Sequence, residues 1–255
     1  LDHDTHMVAV QLLPVALVFS GKLDEAEAHF EAALRLSAEA GDWQRKCLIY
    51  INRALLWVAR KELHRVVEDM SFAIPLARQI GSPFLERQAT LNGAEILHWE
   101  GKHRDARSLA ERAQVLEERF MERTAVAASL LMARILIAED AYPEAARLVD
   151  GIAASHRPEE LAPAKRAFLV MLQRVLSELH VPLERGPSRR WEEILAEARG
   201  RLLDMELLEL LYWWAYMTIH GGRWPEARVA LEQARSLLPG TPMWVPRFEI
   251  LERLT

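Results

Sequence analysis

The stretch GKLDEAEAHFEAALRL, residues 21–36, carries the pattern that decides the fold. Its apolar side chains recur every three or four positions, at Ala26, Phe30, Ala33 and Leu36. This is the period of an α-helix that buries one face. The same period continues through almost the whole chain, and residues that favour strands are scarce. The sequence therefore predicts an all-α protein.

The pattern of this stretch returns along the chain. A turn residue is followed by a bulky residue two positions later, and by small or apolar residues five, nine and twelve positions later. Successive copies are offset by 40, 40, 39 and 82 residues, and the last offset is two periods of 41. Five copies on one grid predict a helical repeat. The copies begin at Gly21, Lys61, Gly101, Asp140 and Gly222.

Glycines mark the expected helix ends. Glycine takes most readily the left-handed conformation that closes a helix, so each period divides into two antiparallel helices. The copy expected near residue 181 is degraded, with an enlarged loop over 182–187 and a shifted second helix over 188–199. Seven of the 11 glycines lie near multiples of 20 residues, namely Gly21, Gly41, Gly81, Gly101, Gly200, Gly222 and Gly240.

This spacing of small and bulky residues after a turn glycine resembles the tetratricopeptide repeat, most closely in the copies at Gly21 and Gly222. The period exceeds the roughly 34 residues of the standard repeat. It is similar to the longer repeats of bacterial multidomain signalling proteins. The resemblance implies a right-handed α-α superhelix of about six helix pairs plus a C-terminal capping helix. The first helix of each pair would line a concave groove.

The grid predicts one superhelical domain over residues 1–255. Trp244 and Ile250 are expected in the capping helix, which covers the apolar face of the last pair. The repeats are expected at residues 4–40, 42–80, 82–120, 121–156, 158–200 and 201–239, and the cap at 241–255.

Composition excludes several classes of protein. Of the 255 residues 51% are hydrophobic, which is enough for a sizeable core. The net charge of −5 argues against nucleic acid as the main partner. A single cysteine, Cys47, forms no internal disulfide, and a cytoplasmic location is expected. The apolar runs at 7–19 and 202–219 are interpreted as buried helices, so no membrane span is predicted.

Signals of catalysis and metal binding are poor. The chain has no phosphate-binding glycine loop, no His-Glu-x-x-His motif and no paired cysteines. His3 and His6 have no third ligand beside them. We therefore expect no enzyme, no cofactor and no metal. The other histidines considered lie scattered over helix faces without a nucleophile partner: His29, His64, His98 and His103.

In the family's register, residues four apart on each first helix face the groove. The stripe is mostly apolar and aromatic, which predicts binding of a peptide or helix. The alternative is that longer repeats form a tightly curved superhelix, in which the side chains of this stripe pack against each other and leave no groove. The groove-facing positions are Gln11, Val15, Phe19, Ile51, Leu55, Ala59, Leu91, Glu95, Trp99, Leu130, Arg134, Ala138, Tyr212, Tyr216 and His220.

Two asparagines stand 40 residues apart in matching contexts. In peptide-binding members of the family, asparagine at this place holds the backbone of an extended peptide, because its amide both donates and accepts. The alternative is that it caps local backbone. Glu95 and Arg134 would face a charged ligand or pair with each other. The candidate binding residues are Asn52, Asn92, Glu95, Trp99, Arg134, Tyr212, Tyr216 and His220.

The densest aromatic cluster is Tyr212–Tyr216, in which Trp214 is expected in the core while both tyrosines face the groove. The sequence thus predicts a non-catalytic scaffold that binds a protein or peptide segment. The alternative is a ligand-sensing arm of a larger bacterial signalling ATPase, Ser/Thr kinase or transcription regulator, whose other domains would be partners. The start at Leu1 rather than Met favours a fragment of a longer chain. No oligomeric state is predicted.

Overall fold

The computed structural model describes residues 12–120, 126–187 and 189–255. Within these ranges the chain is helical and contains no strand, which confirms the predicted all-α class. The predicted groove residue Gln11 and the histidines His3 and His6 lie outside the described residues, as do parts of the predicted first and fourth repeats.

Helices in the described ranges follow one another at nearly regular intervals. A short 3-10 turn at Pro158–Glu160 precedes the ninth of them. The helices are α1 (12–19), α2 (Leu23–Glu39), α3 (Trp43–Ala59), α4 (Leu63–Gln79), α5 (Pro83–Trp99), α6 (His103–Phe120), α7 (Ala127–Ala138), α8 (Tyr142–Ser155), α9 (Pro163–Glu178), α10 (Trp191–Ala198), α11 (Asp204–His220), α12 (Trp224–Arg235) and α13 (Val245–Arg253).

Left-handed residues close the first helix of every pair. At the end of α9, for example, the N–H of His180 donates to the carbonyl of Ser177 at 3.0 Å and that of Val181 to the carbonyl of Leu176 at 2.9 Å. This pair of bonds satisfies carbonyls that the helix itself leaves open. All seven predicted glycines have positive φ. Six of them come two residues after the end of a helix, which confirms the predicted helix ends, whereas Gly240 lies in the turn five residues after the end of α12. Lys61, Asp140 and His180 take the same conformation without being glycine.

Replacing His180 by glycine is expected to stabilise the protein. His180 is exposed and has φ of 58°, so its side chain contributes crowding and no burial. Glycine removes that crowding, and we expect a gain of about 0.5–1 kcal/mol in the free energy of unfolding. Urea unfolding followed by circular dichroism measures it. The matched reverse change, Gly81→Ala at φ of 67°, should destabilise; a gain there would contradict the assignment.

Small residues at the repeat positions let paired helices approach closely. Ala26 and Ala33 on α2 are fully buried, as are Ala227 and Ala234 on α12. Consecutive helices pack on each other as antiparallel neighbours, as in α3 with α4, α7 with α8 and α11 with α12. The buried alanines therefore have the role that the repeat pattern assigns to them.

Contacts divide the chain into two compact units. Unit 1 comprises the described parts of residues 1–97 and 108–121, and unit 2 those of residues 98–107 and 122–255. The bodies of α5 and α6 thus belong to unit 1, whereas the turn that joins them belongs to unit 2. The single-domain organisation and the repeat boundaries stay predictions.

The end of the chain is organised by α13. Trp244 and Phe248 are buried, so this helix covers apolar surface of unit 2. Ile250 lies on this helix as expected, and its side chain is 59% exposed. The degraded repeat has its long loop as expected, and its second helix begins at Trp191. None of the described helices is both long and apolar enough to cross a membrane.

Candidate functional site

The site begins with two helices that are apolar on nearly all faces. Helix α7 is buried along most of its length and has one charged residue, Arg134. Helix α11 is similar beyond its first turn and has one buried charge, Glu209. An unpaired charge in such surroundings is very costly, so each needs a partner of opposite sign.

Arg134 and Glu209 are each other's partner of opposite charge. Arg134 Nε donates to Glu209 Oε1 at 2.9 Å, and its Nη2 donates to Oε2, so the contact is bidentate. The guanidinium also lies 4.0 Å from the centroid of the Phe168 ring, a cation–π contact. Both side chains are at least 95% buried.

The end of α5 completes the coordination of Glu209. Trp99 Nε1 donates to Oε2 at 2.8 Å, and His98 Nε2 lies 3.2 Å from Oε1. Because a carboxylate only accepts, His98 Nε2 carries the proton. Burial by itself raises the pKa of Glu209, but Arg134 and then His98 hold it well below its usual range. Glu209 is therefore ionised at neutral pH. We call Glu209, Arg134, Trp99 and His98 the Glu209 cluster.

The Glu209 cluster borders a pocket of about 230 Å³ within unit 2. The end of α5, the start of α6, the turn from α7 to α8, and helices α11 and α13 all contribute to it. Glu209 and His98 line it directly. Five segments, drawn from residues 98 to 247, therefore meet at one concave surface.

One wall of the pocket is aromatic. The Tyr212 ring centroid lies 5.4 Å from that of Trp213 and 6.0 Å from that of Tyr216. Tyr212 also contacts Trp244 of the turn before α13, at 5.8 Å. These edge-to-face and tilted contacts are the favourable geometries for aromatic rings. Tyr142 adds a further ring, and its hydroxyl donates to Asp140 at 2.5 Å.

The same pocket also holds polar groups that are incompletely satisfied. Arg247 Nη2 donates to the Trp99 carbonyl at 3.0 Å, and its guanidinium lies 4.7 Å from the Trp244 ring centroid. It forms no ion pair with a carboxylate among the described residues. The Tyr212 hydroxyl likewise has no hydrogen bond within those ranges. Burial raises the pKa of Tyr212, so this hydroxyl stays protonated and able to donate.

Two imidazoles stand beside Arg247. The His98 and His103 rings are 5.4 Å apart. Burial lowers the pKa of His103, and the nearby His98 and Arg247 lower it further, so His103 is neutral at neutral pH. Each ring keeps a buried Nδ1 without a partner, as does the Nε1 of Trp244. The pocket thus offers several polar atoms that the described chain leaves open.

The structure brings five of the eight predicted site residues into unit 2. Trp99 and Arg134 are buried and engaged with Glu209, so they support the pocket from behind. Tyr212 and Tyr216 line it. His220 is exposed, with its Nδ1 2.8 Å from the Tyr216 carbonyl oxygen and its ring 4.1 Å from the Tyr216 ring. Their roles in binding stay predictions.

The other three predicted residues belong to unit 1. Asn92 Nδ2 on α5 donates to the carbonyl of Ile51 on α3 at 3.3 Å, a contact to backbone 41 residues away. Asn52 and Glu95 are half-buried. Arg134 pairs with Glu209, and Glu95 belongs to the other unit.

Sequence reasoning missed several residues of the site. Glu209 had a usable signal, because a lone acid in the middle of an apolar helix must find a buried partner. His98 and His103 were dismissed as scattered, since nothing in the spacing shows that they meet. Arg247 gave no signal at all, because its place depends on where α13 folds back.

The combination of acid, arginine and tryptophan recurs in unit 1. Asp69 on α4 is buried and accepts from Arg53 Nε at 2.9 Å, from Arg53 Nη2 at 2.6 Å and from Trp57 Nε1 at 2.8 Å. Both donors lie on α3, so the contact joins the two helices of one pair. We call these three residues the Asp69 cluster.

Comparisons with known proteins give the fold a context. A scan of protein-family models gives no match, and neither does a search of curated protein sequences. Among solved structures, NprR in complex with its cognate peptide NprX matches with a TM-score of 0.64 and 14% identity, covering 100% of this chain and 73% of that one. A Podospora anserina putative kinesin light chain with nearly identical TPR-like repeats matches with a TM-score of 0.51 and 14% identity. That match covers 95% of this chain and 99% of the other.

Both matches agree with the observed helix pairs, the left-handed turn residues and the buried alanines. At 14% identity they establish the fold and leave the ligand open. The chain therefore has a tetratricopeptide-type helical repeat fold.

Proposed function

We propose that the protein is a non-catalytic scaffold that binds a peptide or protein segment, and that the pocket of unit 2 is part of the binding surface. The observation that carries this proposal is the aromatic wall of Tyr212, Trp213 and Tyr216, which is only partly buried although it lies beside fully buried α11 residues. Half-exposed aromatic rings that line a concavity are frequent anchors of interfaces.

The match to NprR supports the same proposal, since that protein is described with a bound peptide. The rigid Glu209 cluster supports it as well. A pocket whose back wall is fixed by charge-assisted hydrogen bonds loses little entropy when a ligand binds. The cytoplasmic location predicted from the single cysteine belongs to this proposal.

A random peptide library displayed as fusions through the peptides' C-termini tests the proposal. The full chain should select peptides that contain apolar or aromatic residues. Tyr216→Ala should weaken binding of the selected peptides by about tenfold or more, because an aromatic anchor is lost. Affinity is measured by fluorescence anisotropy.

Trp224→Ala is the matched control for that change. Trp224 is an exposed aromatic residue of unit 2 that does not line the pocket, so affinity should stay the same. Equal losses in both variants, or no selected peptide at all, would contradict the proposed function.

A regulatory role in a larger signalling protein is the second candidate. The turn residues at 21, 61, 101, 140, 180 and 222 keep the period near 40 on which the resemblance to bacterial signalling proteins rests. The complete coding sequence tests it, because this role requires an ATPase, kinase or DNA-binding domain in the same polypeptide. A gene without such a domain would contradict it.

A further inference from the structure

Unit 1 has a concavity of about 290 Å³ at which three arginines surround one buried acid. It lies where α4 ends, α5 begins and α6 ends, so all its lining residues belong to this unit. Three positive charges face a single negative one there. The charged residues among its described lining, which we call the Glu86 cluster, are Arg78 on α4, Glu86 on α5, and Arg112 and Arg119 on α6.

Two of the arginines converge on the same carboxylate oxygen. Arg78 Nε donates to Glu86 Oε1 at 2.7 Å, and Arg112 Nε donates to the same atom at 2.8 Å. Arg112 Nη2 donates to Oε2 at 2.9 Å. The Glu86 side chain is only 6% exposed, whereas those of Arg78 and Arg112 are about half exposed. The acid therefore holds both guanidinium groups from the buried side, and their outer N–H groups remain accessible to a ligand.

One carboxylate does not neutralise the Glu86 cluster. Hydrogen bonds from Arg112 and then Arg78 hold the pKa of Glu86 below its usual value against the effect of burial, so Glu86 is ionised at neutral pH. Arg119 adds a third cation, which lies 5.3 Å from the Phe120 ring centroid and pairs with no carboxylate of the described residues. Two positive charges are therefore left uncompensated, in a chain whose net charge is −5.

The surroundings do not remove this surplus of positive charge. A helix terminus is equivalent to about half a charge, so the two helix ends and one helix start at the concavity add only about half a negative charge. Arg87 on α5 and Glu117 on α6 pair with each other at 2.7 Å and cancel. The acids that precede the two α6 arginines, Glu111 and Glu118, are exposed and lie outside the lining of the concavity.

We propose that the Glu86 cluster binds a phosphate monoester dianion. The two negative charges of this group match the surplus, and its three terminal oxygens accept from the arginine N–H groups, whose planar fork suits phosphate. Val115 and Phe120 line the concavity and are about half exposed, so they offer apolar contact to the group that carries the phosphate. The site shares no residue with the pocket of unit 2 and goes beyond the proposed function.

The ligand itself gives this site its dependence on pH. Arginine stays charged, and Glu86 stays ionised, throughout the range from about pH 5 to 8. The second pKa of a phosphate monoester is about 6, so the dianion predominates above that pH and the monoanion below it. We expect the Kd to be constant above about pH 7 and to rise as the pH falls through about 6.

Blocked amino acids test the proposal on the full chain. N-Acetylphosphoserine amide carries a phosphate monoester, and N-acetylserine amide has the same backbone without it. The α-amide of N-acetylglutamate carries a single negative charge. Inorganic phosphate is the fourth probe and distinguishes the free ion from a phosphorylated side chain. Each is titrated by calorimetry from about pH 5 to 8, while NMR follows the Nε–H signals of the arginines.

We expect the phosphoserine probe to bind at least about tenfold more tightly than the glutamate probe, and the serine probe to bind more weakly still. The Nε–H signals of Arg78 and Arg112 should shift together in the titration. Inorganic phosphate that binds as tightly as the phosphoserine probe would identify the free ion as a sufficient ligand, and weaker binding would favour a phosphorylated side chain. Equal binding of the phosphoserine and glutamate probes would overturn the proposal.

Arg78→Gln and Arg119→Gln should each raise the Kd of the phosphoserine probe about fivefold or more, because each removes a positive charge from the site. Both residues are exposed, and Glu86 keeps its two bonds from Arg112, so the fold should tolerate either change. Circular dichroism checks this. Unchanged affinity in the double variant would overturn the proposal.

Arg35→Gln is the matched control, since Arg35 is an exposed arginine of α2 in the same unit and lies outside the concavity. An equal loss of affinity in this variant would overturn the proposal, because the probe would then respond to overall charge. Tyr216→Ala should bind the phosphoserine probe as the native protein does. The proposed function and the phosphate site can therefore fail independently of each other.

Discussion

Replacing Glu209 by alanine is expected to lower the free energy of unfolding by about 3–5 kcal/mol. The change leaves Arg134 as a buried cation without its carboxylate, and removes the acceptor of the Trp99 indole and of His98. Breaking a buried pair by removing one partner costs more than the pair itself contributes, because the other charge remains desolvated. Urea unfolding measured by circular dichroism gives the value.

Glu249→Ala is the control for Glu209→Ala. Glu249 is an exposed acid of α13 in the same unit, and such substitutions normally change stability by less than about 0.5 kcal/mol. Hydrogen exchange should show that opening in the Glu209 variant is largest in α7 and α11. A loss of less than about 1 kcal/mol would mean that the cluster is not the buried network described above.

The same residue gives the protein a defined response to acid. Because the folded state lowers the pKa of Glu209, the unfolded chain binds more protons at this site as pH falls below about 4.3. The contribution of Glu209 is therefore complete at neutral pH and is lost progressively on acidification. Glu209→Gln should be less stable than the native protein at pH 7, and the difference should shrink toward low pH. A stability difference between the two proteins that stays constant with pH would contradict the predicted pH dependence.

Asp69→Ala is expected to destabilise unit 1 by a similar amount, about 3–5 kcal/mol. Asp69 accepts three hydrogen bonds from Arg53 and Trp57, and its side chain is only 3% exposed. Its loss leaves an indole N–H and a guanidinium without their acceptor. Hydrogen exchange of the backbone amides in α3 and α4 measures this loss of stability in the two helices that carry the cluster.

Glu68→Ala provides the matched comparison, because Glu68 precedes Asp69 on the same helix and is exposed. The free energy of unfolding of the Glu68→Ala variant should differ from that of the native protein by less than about 0.5 kcal/mol. In a repeat protein each element mainly stabilises its neighbours, so the two cluster variants should open different helices. Similar hydrogen-exchange patterns in both variants would show that each cluster does not mainly stabilise its own helices.

Much of the scaffold was predictable because its signals are local. The φ values of the seven glycines, the period near 40 and the buried alanines each depend on a few adjacent residues. Helical periodicity alone does not reveal which face a terminal helix turns inward: on α13 Phe248 is buried and Ile250 is exposed.

The candidate site was only partly predictable because its contacts are distant in sequence. Tyr212 and Tyr216, which the register assigns to the groove, line the pocket of unit 2. Arg134 was expected to face a charged ligand or to pair with Glu95, and its partner Glu209 lies 75 residues away. Trp99 reaches the same acid across 110 residues, well beyond an adjacent repeat. Nearest-neighbour reasoning, which suits repeat proteins, gives no means of finding such a pair.

The chain alternates between the two units, and this limits how it can be divided into fragments. Residues 98–107 belong to unit 2 although unit 1 holds the sequence on both sides of them. A fragment that starts at residue 122 would keep α7 to α13 and lose His98, Trp99 and His103. Glu209 would then retain only its arginine, and the pocket would lose both imidazoles. A fragment that starts at residue 98 keeps every residue of unit 2, but it also carries residues 108–121 of unit 1. No single cut in the polypeptide therefore yields unit 2 alone, and a minimal binding fragment has to be made by grafting the α5–α6 turn.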